Sequence, residues 1–472
     1  MSEVVARNEP PENWIEVPLA DCVDILDSQR VPLNSKQRAD RIEGKLKSEL
    51  YPYYGATGAV GFIDDFIFEG EHLLLGEDAA PFFDKSKTVA YIANGKFWVN
   101  NHAHILSARR SITSNKYLLH YLNRFNYTGY VNGTTRLKLN QGNLKTIPVP
   151  LAPLEQQKRI VAKIEELFSH IDAGIAALKK AKQLLKQYRQ SVLKAAVTGE
   201  LTKQWRDGNK DKLESASQLL ERILQERRQK WEAQQLEQFK AKGKVPKDDK
   251  WKGKYKEPEE VVLAGLPELP DEWIWARLDS IAFVGTGMSV SKSRKVIDPI
   301  DVAYLRVANV QRGYLVLDKM KTMPIEKGRL TDLELQEWDV LYNEGGDIDK
   351  LGRGWIWENQ VKPCITQNHV FRASPYIKER YHSIFLSNWG NTFGQEYFID
   401  TGKQTTNLAS INKGVLSAFP TPLAPIEEQK KIIEIVEEKL ASISHLETQV
   451  NIQLIKAEKN KQSILASAFS GK

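Results

Sequence analysis

The chain contains one helix-forming segment twice. Pro150-Leu151-Ala152-Pro153-Leu154-Glu155-Gln156-Gln157-Lys158-Arg159-Ile160 returns as Pro422-Leu423-Ala424-Pro425-Ile426-Glu427-Glu428-Gln429-Lys430-Lys431-Ile432. The offset of 272 residues (Pro150 to Pro422) still holds at the far end. There Ser191-Val192-Leu193-Lys194-Ala195-Ala196-Val197-Thr198-Gly199 faces Ser463-Ile464-Leu465-Ala466-Ser467-Ala468-Phe469-Ser470-Gly471. Almost fifty residues repeat without a gap. Each copy follows its own globular stretch, and the two stretches are unlike. Two like helices carrying two unlike heads suit the reading of two different things a fixed distance apart.

The repeated segment starts as helices start. Pro153 pre-sets the backbone, and Glu155 places an acid near the positive end of the dipole. From there Ile160, Ile164, Leu167, Ile171, Gly174, Leu178, Ala181, Leu185, Tyr188, Val192 and Ala195 alternate in steps of four and three, a heptad seam. Copy two gives Ile432, Val436, Ile443, Leu446, Val450, Ala457 and Ile464, with Leu440 and Leu454 beside them. A helix of about 45 residues is about 67 Å long. Its apolar stripe needs a partner, and the other copy is the economical one.

The heads read as mixed α+β domains of roughly 150 residues. Each opens alike, with Pro11-Glu12-Asn13-Trp14-Ile15 matching Asp271-Glu272-Trp273-Ile274, and the Trp is expected to plug the core. Short β-like runs follow: Thr88–Ile92 and Lys96–Val99 in the first head, Val302–Val307 and Asp339–Tyr342 in the second. Lys116–Leu122 has a helical pattern. The expected fold is α+β: two mixed α/β domains joined and separated by two long antiparallel helices forming a coiled coil, with an internal pseudo-twofold repeat. The expected boundaries are 1–152 and 269–424 for the heads, 153–206 and 425–472 for the helices, and 207–268 for a charged spacer. In that spacer Leu213–Lys242 reads as a further helix. Lys244–Lys256 reads as an exposed hinge, although lysines beside Trp251 and Tyr255 also suit DNA phosphate.

Composition and motifs narrow the function. Lys+Arg outnumber Asp+Glu by 67 to 60, which permits nucleic-acid binding without demanding it. The two cysteines, Cys22 and Cys364, lie in different halves and make no disulfide framework, so a reducing compartment is expected. No signal core or membrane span is expected from the sequence, which points to the cytoplasm. It holds no Gly-x-x-x-x-Gly-Lys-Ser/Thr phosphate loop and no Asn/Asp-Pro-Pro-Tyr/Phe tetrapeptide. Phe283-Val284-Gly285-Thr286-Gly287 reads as a plain glycine turn rather than a methyl-donor cradle. His102 and His104 are not read as a metal pair, because no cysteine lies nearby. No catalytic residue and no metal ligand is assigned. On these grounds alone, a two-headed protein tether and a self-contained methyltransferase stay open.

The alternation of head, long helix, head and long helix resembles the specificity (S) subunit of type I restriction–modification enzymes over essentially the whole chain. The repeated Pro-Leu-Ala-Pro-(Leu/Ile)-Glu-x-Gln-Lys start is its most specific mark, with Ser191–Glu200 and Leu201-Thr202-Lys203-Gln204-Trp205-Arg206 downstream. The resemblance implies that each head is a target-recognition domain reading one half of a split DNA site. The helices would set the spacer and dock two modification (M) subunits, with restriction (R) subunits joining later. S-adenosylmethionine, ATP and magnesium would be used by those partners, and none by this chain.

Under that resemblance the candidate contacts to double-stranded DNA follow from residue chemistry. Arg reads guanine, Asn and Gln read adenine, and Gly lets backbone approach phosphate. In the first head they are Tyr54, Thr57, Asn100, Asn101, His102, Thr134, Thr135 and Arg136. In the second they are Arg306, Asn309, Asn343, Lys350, Arg353, Asn368, His369, Lys403, Gln404, Thr405 and Thr406. Duplication of Thr198-Gly199-Glu200-Leu201 is expected to lengthen the rod by about 6 Å.

Overall fold

The computed structural model describes residues 13–85, 87–210, 213–290, 296–404 and 409–470. They divide into two compact units, Met1–Lys182 with Thr448–Lys472, and Gln183–Glu447. Both long helices, Leu154–Val197 and Ile426–Ala468, contribute to each unit.

The repeated motifs close the base of each head in the same way. In unit one Ile15–Pro18 pairs antiparallel with Pro148–Leu151, Ile15 opposite Leu151. In unit two Ile274–Arg277 pairs with Pro420–Leu423, Ile274 opposite Leu423. Prolines at alternate positions turn their missing donors away from the partner strand, which is where a strand tolerates them. Trp14 and Trp273, one residue ahead of each clasp, are buried as expected.

A buried glutamine then fixes each helix to its head. Gln157 Nε2 donates to Ala152 O at 2.8 Å, and Gln429 Nε2 donates to Ala424 O at 2.7 Å. Their Oε1 atoms reach into the head, accepting from Thr113 Oγ1 at 2.8 Å and from His382 Nδ1 at 2.9 Å. Thr113 precedes the helix Asn115–Leu122, and His382 lies on Arg380–Thr392. Each helix is thereby oriented by hydrogen bonds that cannot slide.

The head in unit one has two four-stranded sheets. One runs Val23–Ile25, Ala103–Ala108, His72–Gly76, Ala90–Ala93; the other runs Gly58–Ile63, Tyr51–Gly55, Lys96–Val99, Phe68–Glu69. Asn115–Leu122 buries Tyr117, Leu118 and Leu122 in the same cluster as Leu73, Leu75 and Leu106. The head in unit two has three three-stranded sheets and the helices Arg380–Thr392 and Gly394–Thr401. Its core gathers Tyr342, Phe385, Phe398 and Phe419.

Within unit one the helices meet through Asp172–Lys461 (2.5 Å) and Lys182–Asn451 (2.9 Å), so one number rises as the other falls. Phe469 closes this contact on Tyr117 and Tyr121, with ring centroids at 5.1 and 5.5 Å. Within unit two Val192, Ile432, Val436 and Ile443 are buried together, and Arg189 Nη2 bonds Glu447 at 3.0 Å. Of the other expected seam positions, Ile164 is buried, while Ile160, Leu167, Ile171, Leu178, Leu185, Val450 and Ile464 are half-buried. Leu446 is a correction: it is 50% exposed, because Glu447 takes the inward position opposite Arg189. Gly174 and Tyr188 are also exposed, and Ile175 is buried instead of Gly174.

Two further expectations change. The first long helix does not run on to residue 206 as expected. The helix stops at Val197, Gly199 takes φ +74°, and Glu200–Thr202 begins a 3-10 turn. A Cβ on Gly199 would lie 2.7 Å from Pro270 and 3.1 Å from Trp273, so only glycine fits. The spacer helix forms over Ala216–Ala241, with Ser215 and Gln218 closing a capping box. Lys244–Lys256, however, is no loose hinge. Trp251 stacks on Trp231 at 5.9 Å, and Tyr255 meets Trp231 edge-on at 5.3 Å.

Candidate nucleic-acid interface

In unit one, four chain segments knit into one loop cluster. Asn100 N donates to Tyr54 O, Asp78 N to His102 O, and Ala79 N to Leu137 O. Asn100 Oδ1 accepts from His102 N at 2.8 Å and tightens the turn before strand Ala103–Ala108. Gly133 has φ +95°, and a Cβ there would lie 2.3 Å from Arg136 O, so the loop carrying Thr134 and Thr135 needs glycine at that point. Thr57, Asn101, Thr134, Thr135 and Arg136 are exposed in this cluster.

Asp78, absent from the sequence-derived set, organises it. Arg136 Nε donates to Asp78 Oδ1 at 2.7 Å and its Nη2 lies 2.6 Å from Oδ2, while His102 Nδ1 is 3.2 Å from the same carboxylate. Burial pushes the Asp78 carboxyl up, but Arg136 and His102 outweigh it and hold the group below the ordinary carboxylate range. The pair occupies one edge of the guanidinium fork. Arg136 remains 61% exposed, with further donors on its outer edge. Two half-buried residues of the set also make internal contacts. The Tyr54 ring meets Phe97 edge-on at 5.6 Å, and the Asn100 side chain serves its turn.

Beneath this surface Asp27, Glu77 and His104 bring three metal-type donors together. His104 Nδ1 bonds Asp27 Oδ2 at 2.6 Å, and Arg30 Nη1 bonds Glu77 Oε2 at 2.6 Å. Burial raises the Asp27 carboxyl, and His104, the Ile105 N–H and Arg30 pull it below its ordinary value. The Arg30 guanidinium supplies the cationic charge this cluster calls for, so the geometry fits an internal ionic brace. His104 faces this brace while His102 faces Asp78, and the two rings do not share a site.

In unit two the cluster is built on a small sheet. Ala409–Ser410 lies between Gly345–Gly346 and Lys403–Gln404. A Cβ on Gly345 would sit 2.4 Å from Ala409 O, which explains the glycine. Glu344 N donates to His369 O, and His369 Nδ1 bonds Glu344 Oε2 at 2.5 Å. Asn368 Nδ2 lies 3.2 Å from His369 Nε2. Lys403 is exposed, His369 is 54% exposed, and Lys350 is paired with Asp347. Arg306 Nη2 donates to Lys319 O at 3.2 Å, and Arg353 Nη2 to Val307 O at 3.3 Å; both arginines are half-buried.

Asn309 and Asn343 are corrections. Asn309 is 2% exposed; its Oδ1 accepts from Arg306 N and its Nδ2 donates to Val316 O. Asn343 is fully buried, and its Nδ2 donates to Val310 O at 3.0 Å. Both amides brace the loop 306–316 from inside and cannot also reach a base. Thr405 and Thr406 lie outside the described residues, and Gln404 contributes its backbone to the small sheet.

The comparisons with known proteins agree with one another. The model of the type I restriction modification DNA specificity domain matches residues 11–184 and again residues 270–456. The chain is 25% identical over 425 residues to the type I restriction enzyme EcoDI specificity subunit of Escherichia coli, covering 89% of this chain and 82% of that one. It is 27% identical over 347 residues to the EcoBI specificity subunit of Escherichia coli, covering 71% and 60%. The fold is shared with the HsdS subunit from Thermoanaerobacter tengcongensis over 100% of both chains, with a TM-score of 0.50 and 14% identity. A chain from a structure concerned with assembly of the type I R-M system covers 98% of both chains, with a TM-score of 0.61 and 14% identity. Repeated motifs, repeated clasps and a twice-matched domain lead to one assignment: this chain belongs to the family of type I restriction modification DNA specificity domains.

Proposed function

We propose that this specificity subunit binds an asymmetric, split DNA site, the loop cluster of each head contacting one half. The single observation that carries the reading is that one DNA-specificity domain is matched twice, while the loops differ between the copies. In unit one the proposed contacts are Thr57, Asn101, His102, Thr134, Thr135 and Arg136. In unit two they are Arg306, Lys350, Arg353, Asn368, His369 and Lys403, and from the sequence alone Gln404, Thr405 and Thr406 are proposed too.

The two long helices act, in this proposal, as an antiparallel coiled coil that fixes the number of base pairs between the half-sites. Near-equivalent helices offer near-equivalent docking for two modification subunits, and restriction subunits join that assembly. S-adenosylmethionine, ATP and magnesium belong to those partners, and the complex works in the cytoplasm. No helix among the described residues is long and apolar enough to cross a membrane.

Incubation of the purified chain with labelled methyl donor and DNA tests the division of labour. No incorporation is expected until modification subunits are added. Methyl transfer by the chain alone would overturn it.

A further inference from the structure

Lys240–Lys256 contains eight lysines and two aspartates, a net charge of +6, while the whole chain carries +7. Six net positive charges within seventeen residues make this segment densely basic. That segment is pinned. Phe239, Trp231, Trp251 and Tyr255 form a continuous aromatic contact, and Arg227 Nη1 donates to Tyr255 Oη and to Lys256 O. Asp248 accepts from Lys250 N and caps the 3-10 turn Asp249–Lys254.

Local acids neutralise it only in part. Asp248 and Asp249 pair with Lys250 and Lys252, and downstream Glu257 and Glu259 face Arg228 and Arg277. Lys240, Lys242, Lys244, Lys247, Lys254 and Lys256 are exposed and make no ion pair among the described residues. Six like charges held together on an ordered surface repel one another. Asp248 and Asp249 offset part of that repulsion, and a polyanion would offset the rest.

We propose that this lysine platform is a second, sequence-independent DNA contact that takes the phosphate backbone of a duplex. The inference rests on reading the chain as a DNA-specificity subunit. Lysine is a point charge suited to phosphate and carries no base code. Lysine is also depleted from protein–protein interfaces, which favours DNA over an acidic protein surface. Such a contact adds affinity for any duplex, and with it a way to hold DNA while the heads search.

The test uses the full chain and a random-sequence duplex, with binding followed by anisotropy across a salt series. Neutralising Lys240, Lys242, Lys244, Lys247, Lys254 and Lys256 to Gln should cut the log–log salt slope by about 3 or more, at about 0.9 per lost phosphate contact. Affinity at low salt should fall at least about tenfold. The six Lys→Arg substitutions, which keep the charge, should retain the slope. An unchanged slope in the Gln variant overturns the platform. So does an equal loss when Lys158, Lys163, Lys179, Lys180, Lys186 and Lys430 on the long helices are neutralised instead, since that is bulk charge. An unchanged slope with lost capture of modification subunits overturns it in favour of an acidic protein partner. Site-selective methylation by the assembled enzyme is read separately. If selectivity persists while the slope is unchanged, the platform fails and the specificity reading stands. If the slope falls but the wild type never shows selectivity, the platform stands and the specificity reading fails.

Discussion

Glu428, in the first turn of the second long helix, accepts a hydrogen bond from the indole Nε1 of Trp273 at 2.9 Å. Its other oxygen accepts from Thr202 Oγ1 at 2.7 Å, and Arg206 Nε lies 3.6 Å away. All four side chains are buried. One carboxylate therefore joins the opening of the second half, the turn after the first helix and the start of the second helix. Glu428→Ala leaves two buried donors without their acceptor and a buried guanidinium without its counter-charge. Removing one partner of a buried pair costs about 3–5 kcal/mol, so a loss of that order is expected in urea denaturation of the full chain. A loss below about 1 kcal/mol would contradict the assignment.

Two buried groups beside this junction should oppose each other in acid. Burial raises the Glu428 carboxyl above its ordinary value, against lowering by Thr202, Trp273 and Arg206. Its stabilising contribution is complete below the unfolded value and is lost as pH rises through the raised one. Burial depresses the His382 ring to about 4, partly offset by Gln429. Its contribution is present above the unfolded value of about 6.5 and is lost as pH falls toward the folded value. The slope in that window is about 1.4 kcal/mol per pH unit. His382→Gln should flatten the acid loss, and Glu428→Gln should steepen it. Urea midpoints across pH check both signs, and profiles parallel to the wild type would contradict them.

The buried asparagines are expected to separate stability from recognition. Asn309→Ala strips partners from Arg306 N and Val316 O. The expected cost is about 1–3 kcal/mol of stability. Site preference of the folded enzyme should stay unchanged. A methylation assay showing altered preference at full stability would return Asn309 to the interface.

Asp78 carries the wrong charge for a phosphate contact, yet its removal should weaken binding. Asp78→Ala releases Arg136 and His102 from their fixed orientation. Arg136→Ala should cost about 1–3 kcal/mol of affinity for the target. Asp78→Ala should move affinity in the same direction. Tighter target binding by Asp78→Ala, the outcome of simple charge repulsion, would reject the clamp.

What the sequence made legible was set by backbone rules. Pro148, Pro150 and Gln157, with their counterparts Pro420, Pro422 and Gln429, are constrained by the clasp and the helix start, so they repeat. Gln157 and Gln429 stood out as identical across the copies, but their role in locking helix to head was not legible. Asn309 and Asn343 misled because asparagine serves an internal loop brace as readily as an adenine edge. Leu446 misled because steps of three and four both keep a heptad in phase, and the choice fell to the Arg189–Glu447 pair. The anchoring roles of Asp78 and Trp231 were not legible, because Arg136 and Trp251 reach them only through tertiary packing.

The central claim is that two unlike heads read two unlike half-sites. Sequencing of methylated positions in a host carrying this chain with its modification subunits measures it most directly. The account predicts one split, asymmetric motif with a fixed number of unread base pairs between its halves. Exchanging residues 13–152 for another first head should change one half and leave the other intact. A continuous or palindromic motif, or one that changes in both halves on that exchange, would contradict it.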